Sequence, residues 1–228
     1  MKHREPATFR LLFLCSLTVL FLVSFLACKT ARAAGPIPNP AVDEPLAKAT
    51  TQQTAVFSGG CFWGVQAVFE HVKGVTGVVA GYSGGAADTA HYEIVSTGAT
   101  GHAESVKVTY DPSQTSYGRL LKVFFSVAHD PTQLNRQGPD DGTQYRSIVF
   151  YGTADQKRIA RAYIDQLNQA KFFSQRIVTE VTALNAFYPA EDYHQDYLVH
   201  HPNDPYIMFN DLPKLTHLQQ ELPELYVK

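Results

Sequence analysis

Cysteine is scarce: of three in 228 residues, Cys15 and Cys28 fall in the apolar N-terminal stretch, and only Cys61 lies beyond it. The region after residue 50 therefore has no internal disulfide available, and its single thiol points to chemistry or to pairing with another molecule. Basic clusters are equally thin. The chain holds 19 Lys+Arg and 21 Asp+Glu, and residues 1–33 take five Lys/Arg against one acid, leaving a net charge of −6 on residues 34–228. That balance lacks the basic stripe that nucleic acid calls for, and Lys157, Arg158 and Arg161 read as a solvated helix face. Phosphate-loop and dinucleotide fingerprints are absent, as are repeats and low-complexity tracts.

What is present is enough apolar material for one domain: 45% of residues are hydrophobic and 12% aromatic. The N-terminus is set apart. Lys2, His3, Arg4 and Arg10 precede the apolar run from Leu11 to Ala27, the layout of an export signal over residues 1–33 with a small-residue cleavage site at Ala33. Two alternatives stand beside it, a lipoprotein signal ending before Cys28 and an uncleaved anchor attaching the chain to the membrane. All three place the domain outside the cytoplasm, periplasmic or membrane-anchored facing the periplasm. Residues 34–50 are Pro-rich and aperiodic and read as a tether, with the domain and its C-terminal tail over 51–228.

Along the domain, Thr54 to Phe57 reads as a strand. Val65, Val68, Phe69 and Val72 recur at helical spacing, so Cys61 stands where strand turns into helix. A second strand runs from Val75 to Gly81, Tyr92 to Val95 reads as loop, and Ala103 to Tyr110 alternates as a third strand until Asp111-Pro112 breaks it. A helix starts at Ser116, a polar loop spans 129–142, and a strand covers Tyr145 to Tyr151. Thr153 caps a helix to about Ala170 with Gln156 three residues on. Arg176 to Val181 reads as a last strand, and a short amphipathic helix spans about Leu212 to Leu222. The order βαββαβ predicts an α+β fold, a two-layer sandwich of ferredoxin-like kind with long functional loops, expected as a monomer.

Cys61, between glycines and beside Phe62 and Trp63, meets the unpaired N–H groups and positive end of a helix start, which favour a thiolate. The opposing reading is a buried structural thiol. Glu104 enters an apolar strand after Gly101-His102-Ala103, where burial would raise its pKa and make it a proton donor; its alternative is an exposed strand-edge carboxylate. Tyr92 and Tyr145 offer phenolic donors to an oxyanion, while Asp140 and Asp141 also suit a plain turn. His194, His200 and His201 lack the spacing of a metal site, and none is expected. A Cys/His hydrolase remains open on these residues, as does an exported binding module.

Taken together, Gly60-Cys61-Phe62-Trp63-Gly64, Gly81-Tyr82-Ser83-Gly84-Gly85, Gly101-His102-Ala103-Glu104, His129-Asp130-Pro131, Gly142-Thr143-Gln144-Tyr145-Arg146-Ser147 and Ala190-Glu191-Asp192-Tyr193-His194-Gln195 resemble the A-type peptide-methionine sulfoxide reductases, colinearly over about residues 54–212. The resemblance implies reduction of the S-epimer of methionine sulfoxide, free or within oxidised proteins, with no bound cofactor. It also implies Cys61 as nucleophile, Glu104 as acid, Tyr92 and Tyr145 as hydrogen-bonding partners, Asp140 as a further acid, and Phe62 and Trp63 as the apolar wall that binds the substrate methyl group. Many relatives carry resolving cysteines near the C-terminus. None comes after Cys61 here, so an external thiol or dithiol reductant, thioredoxin-like, is expected to reduce its sulfenic acid.

Overall fold

A computed structural model describes residues 35–228; residues 1–33, read above as an export signal, and Cys28 lie outside the described residues. The chain order is β1 (Gln53–Ser58), α1 (Phe62–Glu70), β2 (Val75–Ser83), α2 (Tyr92–Val95), β3 (Ala103–Tyr110), α3 (Tyr117–Val123), β4 (Arg136–Gln137), β5 (Asp140–Asp141), β6 (Ile148–Tyr151), α4 (Ala154–Gln169), β7 (Glu180–Ala183), β8 (Tyr188–Pro189), α5 (Tyr197–His200) and α6 (Leu212–Glu221). The main sheet is ordered β7-β6-β1-β3-β2-β8. Its central four strands pair antiparallel, Phe57 standing opposite Val106 on one side and Val149 on the other. That is the split βαββαβ topology, with β7 added parallel to β6 at one edge and β8 at the other.

The two-residue period of the strands sorts the core. Phe57, Val106, Val108 and Val149 face the helices and join Val65, Val68, Phe69, Leu120, Leu121, Phe124 and Tyr163 in the main core. Val56, Ile148 and Phe150 point to the opposite face, where Leu184 and Phe187 cover them. Glu104 shares the parity of Val106 and Val108, so β3 carries it to the helix side, under the start of α1. Thr153 caps α4, its hydroxyl accepting from the Gln156 N–H, while the Gln156 side chain accepts from Gly152 N–H and donates to Thr54 O.

Several expectations from the sequence need correction. Residues 36–44 are not a free tether: Ile37 is buried in the main core, the Tyr163 hydroxyl donates to Pro38 O, and Asp43 accepts from the Gly118 N–H and the Ser116 hydroxyl at the start of α3. The short aperiodic segment finds its partners across the fold, which no local pattern reveals. Tyr92 to Val95 form one helical turn rather than loop, entered from an extended His91. Tyr145 ends a 3-10 turn over Thr143–Tyr145, and the strand starts only at Ile148. The last long strand is Glu180–Ala183, not 176–181, because its register is set by β6 and pairs Ile148 with Glu180.

Candidate active site

Gly60 and Gly64 bring the backbone together at the cysteine. Gly60 has φ +89°, a conformation side-chain-bearing residues avoid, and a Cβ there would lie 2.5 Å from the Gln137 side chain. Cys61 is then the residue before α1, and its side chain is 7% exposed. Glu104 comes from the middle of the sheet, between β1 and β2, and is 2% exposed, which overturns the strand-edge alternative. Its Oε2 accepts the Phe62 backbone N–H at 3.0 Å, so one of the free donors at the start of α1 ties the carboxyl to the residue next to the thiol.

Around this pair the fold closes a cavity of about 180 Å³ lined by Cys61, Phe62, Trp63, Tyr92, Glu104, Asp140, Tyr145 and Tyr206. All seven site residues read from the sequence therefore share one cavity. Asp140 and Asp141, alternating along β5, separate: Asp140 faces inward and accepts from the Tyr206 hydroxyl at 2.5 Å, whereas Asp141 is exposed. A roomier cavity of about 350 Å³, lined in part by His129, Gln137, Lys214 and His217, lies behind the cysteine turn and does not contain Cys61. Volume does not pick out the site, since a cavity of about 530 Å³ lined by Asp165, Lys171 and Arg176 is larger than either, and the convergent titratable groups belong to the smallest of the three.

Burial dominates the electrostatics. It pushes the Glu104 carboxyl up to about 8, aided by Asp140 and Asp211 and opposed by the Phe62 N–H, so at neutral pH the group carries its proton. Tyr92 and Tyr145 are raised too, first by burial and then by Glu104, and remain phenols. The Cys61 thiol is also raised, by burial, then Glu104 and Asp211; the Trp63 N–H and Lys214 pull the other way. This corrects the expectation that the helix start makes a resting thiolate. Burial among acids outweighs the helix end and its Trp63 N–H.

Sequence reasoning missed several contributors. Tyr206 lines the cavity and meets Trp63 edge-on at 6.0 Å. Trp63 stacks on Tyr197 at 3.7 Å and donates through Nε1 to His194 Nδ1 at 3.2 Å. Glu191 accepts from the Tyr92 N–H and the Tyr82 hydroxyl. Their motifs were visible, Pro205-Tyr206-Ile207 and Glu191 to Gln195, but only the folded tail brings them to residues 61–63. His200 and His201 are exposed while His194 is buried, so the three do not converge.

A buried thiol paired with a protonated carboxylic acid and two phenols, on a split βαββαβ sandwich, defines a cysteine-dependent reductase. The profile of the family described as peptide methionine sulfoxide reductase matches residues 53–225, and the chain belongs to that family, oxidoreductases that reduce methionine sulfoxide at the expense of thiols. It is 62% identical over 174 residues to peptide methionine sulfoxide reductase MsrA 2 of Mesorhizobium japonicum, covering 76% of this chain and 89% of that one. Identity to MsrA 2 of Synechocystis sp. is 56% over 187 residues, 81% of this chain and 87% of that one. Among solved structures, methionine sulfoxide reductase A of Corynebacterium diphtheriae aligns with a TM-score of 0.60 at 34% identity, over 75% of this chain and 87% of that one.

Proposed function

We propose that Cys61 is the nucleophile and Glu104 the acid in reduction of S-methionine sulfoxide. The observation that carries this reading is the protonated, buried Glu104 tied through the Phe62 N–H to the residue beside the thiol, in one cavity. A sulfoxide oxygen leaves poorly until protonated, so attack by sulfur on sulfur needs a neutral acid at the oxygen. Glu104 gives its proton to the oxygen as the Cys61 S–S bond forms, Tyr92 and Tyr145 hold that oxygen, and the thiol proton restores Glu104. Oxygen passes to Cys61: the sulfoxide becomes a thioether, and the thiol becomes a sulfenic acid, a balanced two-electron exchange. Phe62 and Trp63 receive the substrate methyl group, and Asp140 with Tyr206 closes the opposite wall.

The sulfenic acid is then taken up by an external thiol, giving water and a mixed disulfide that a second thiol releases. No cysteine comes after Cys61 in the sequence, which supports a thioredoxin-like dithiol protein or another thiol as reductant. Substrates are free methionine sulfoxide and oxidised proteins. Residues 1–33, a basic stretch leading into an apolar run, support export to the periplasm, with cleavage, lipidation at Cys28 or membrane anchoring as the three outcomes. Single-turnover mass spectrometry with S- and R-sulfoxides tests the chemistry. One equivalent of S-sulfoxide reduced without reductant, with one oxygen added to the Cys61 peptide, is expected; multiple turnovers without reductant would refute the external-thiol step.

A further inference from the structure

The tail after Pro205 brings a charged pair against the cysteine turn. Residues Ile207–Asp211 form one turn of π-helix leading into α6, and both pack on α1. Asp211 is wholly buried, and its Oδ1 accepts from Lys214 Nζ at 3.0 Å, while Oδ2 has no hydrogen-bond partner among the described residues. The pair touches the backbone of α1: a Cβ added at Gly64 would collide with Asp211 Oδ1 and lie 2.7 Å from Lys214 Nζ. Gly64 is three residues from Cys61, on the first turn of the helix.

We infer that the Asp211–Lys214 pair sets the charge environment of Cys61, its buried carboxylate and its ammonium bringing opposite charges beside the first turn of α1. The groups around the thiol explain why such a cation matters. Glu104 faces it from β3, Asp140 from β5, Tyr92 from α2, Tyr145 from its 3-10 turn, and Tyr206 and Asp211 from the tail. Every one of these is acidic or neutral, and among the described residues Lys214 is the side chain whose positive charge favours the Cys61 thiolate. Its field also holds down the Asp140 and Asp211 carboxyls against their burial. This inference rests on the reading of Cys61 as nucleophile, since only a thiol that ionises needs such a neighbour.

The test is the pH dependence of iodoacetamide alkylation of the Cys61 peptide, read by mass spectrometry in the full chain. Lys214→Met removes the cation and is expected to slow alkylation at neutral pH roughly tenfold, moving the midpoint up by about one pH unit. Asp211→Asn keeps an oxygen for Lys214 but removes the negative charge, so its midpoint falls. Lys214→Arg stays near wild type. A merely structural pair would move both neutralising variants the same way, and that result, or no shift with Lys214→Met, overturns the inference. Lys214→Gln replaces the methionine variant if that chain fails to fold and must shift the midpoint in the same direction. If instead the wild-type chain fails to acquire oxygen from sulfoxide while the alkylation shifts appear as stated, the nucleophile reading fails and the charge effect stands.

Discussion

The division of labour between Cys61 and Glu104 comes from where each side chain ends up. Glu104 keeps its proton because three strands and a helix start exclude water from it, and the Phe62 N–H that would favour the carboxylate is outweighed. Activity that needs the protonated acid therefore falls as pH rises through about 8, and Glu104→Gln removes that limb while slowing sulfenic-acid formation by about 100-fold or more, measured by rapid-quench single turnover. Cys61→Ser is expected to abolish sulfoxide reduction; turnover retained by the serine chain would end the proposal. Tyr206→Phe tests the residue that sequence reasoning passed over. Loss of its bond to Asp140 should lower kcat while thermal stability changes little, and an unchanged kcat would remove Tyr206 from the site. Cys61 and Glu104 were legible one residue at a time, because a glycine-flanked thiol and a carboxyl in an apolar strand are local oddities. Tyr206, His194 and Lys214 were not, since each is an ordinary surface type until the tail folds over α1.

At the scale of elements, α1 presents the chemistry and β3 supplies its acid, and both depend on close backbone approach at the glycines. Gly60→Ala must strain a positive φ and displace Gln137, so it should misplace Cys61 and depress activity by more than its modest loss of stability would explain. The cap of α4 offers a control remote from the site. Thr153→Ala is expected to cost about 1 kcal/mol in urea unfolding, with the rate of Cys61 oxidation unchanged. The capping box and the alternation of β3 could be read directly, since they depend on residues close in sequence. The turn containing Tyr145 and the true span of β7 could not. Tyr145 looked like the first residue of a strand because it leads into the apolar run from Ile148 to Tyr151, yet Arg146 donates to Thr143 O, His102 O and Gly101 O and folds it into a turn against β3.

For the whole molecule, the packed residues 36–44 enlarge the folding unit beyond its apparent edge at residue 51. Ile37→Ala should destabilise it by about 2 kcal/mol, and a chain beginning at residue 51 should unfold at lower denaturant than the full chain; equal midpoints would show the segment to be dispensable. Stability should also fall with rising pH. Glu104 and Glu70 both have folded-state pKa values near 8, above the ordinary 4.5, because burial comes first in each case. Between those values the folded chain binds protons that the unfolded chain releases, so stability is lost as pH climbs toward 8, with a slope approaching about 1.4 kcal/mol per pH unit for the buried Glu104 and a smaller one for Glu70, which solvent screens. Urea midpoints at pH 5 and pH 8 check the sign, and Glu104→Gln should flatten the trend. By itself the sequence determined the strand and helix order, the lone thiol and the family motifs, because periodicity, turn residues and composition are local. Only the tertiary structure decided that Cys61 rests as a thiol, that Asp140 rather than Asp141 faces the cavity, and that the tail supplies Tyr206 and the Asp211–Lys214 pair. Burial and charge are sums over groups distant in the chain, and they take values only once it has folded.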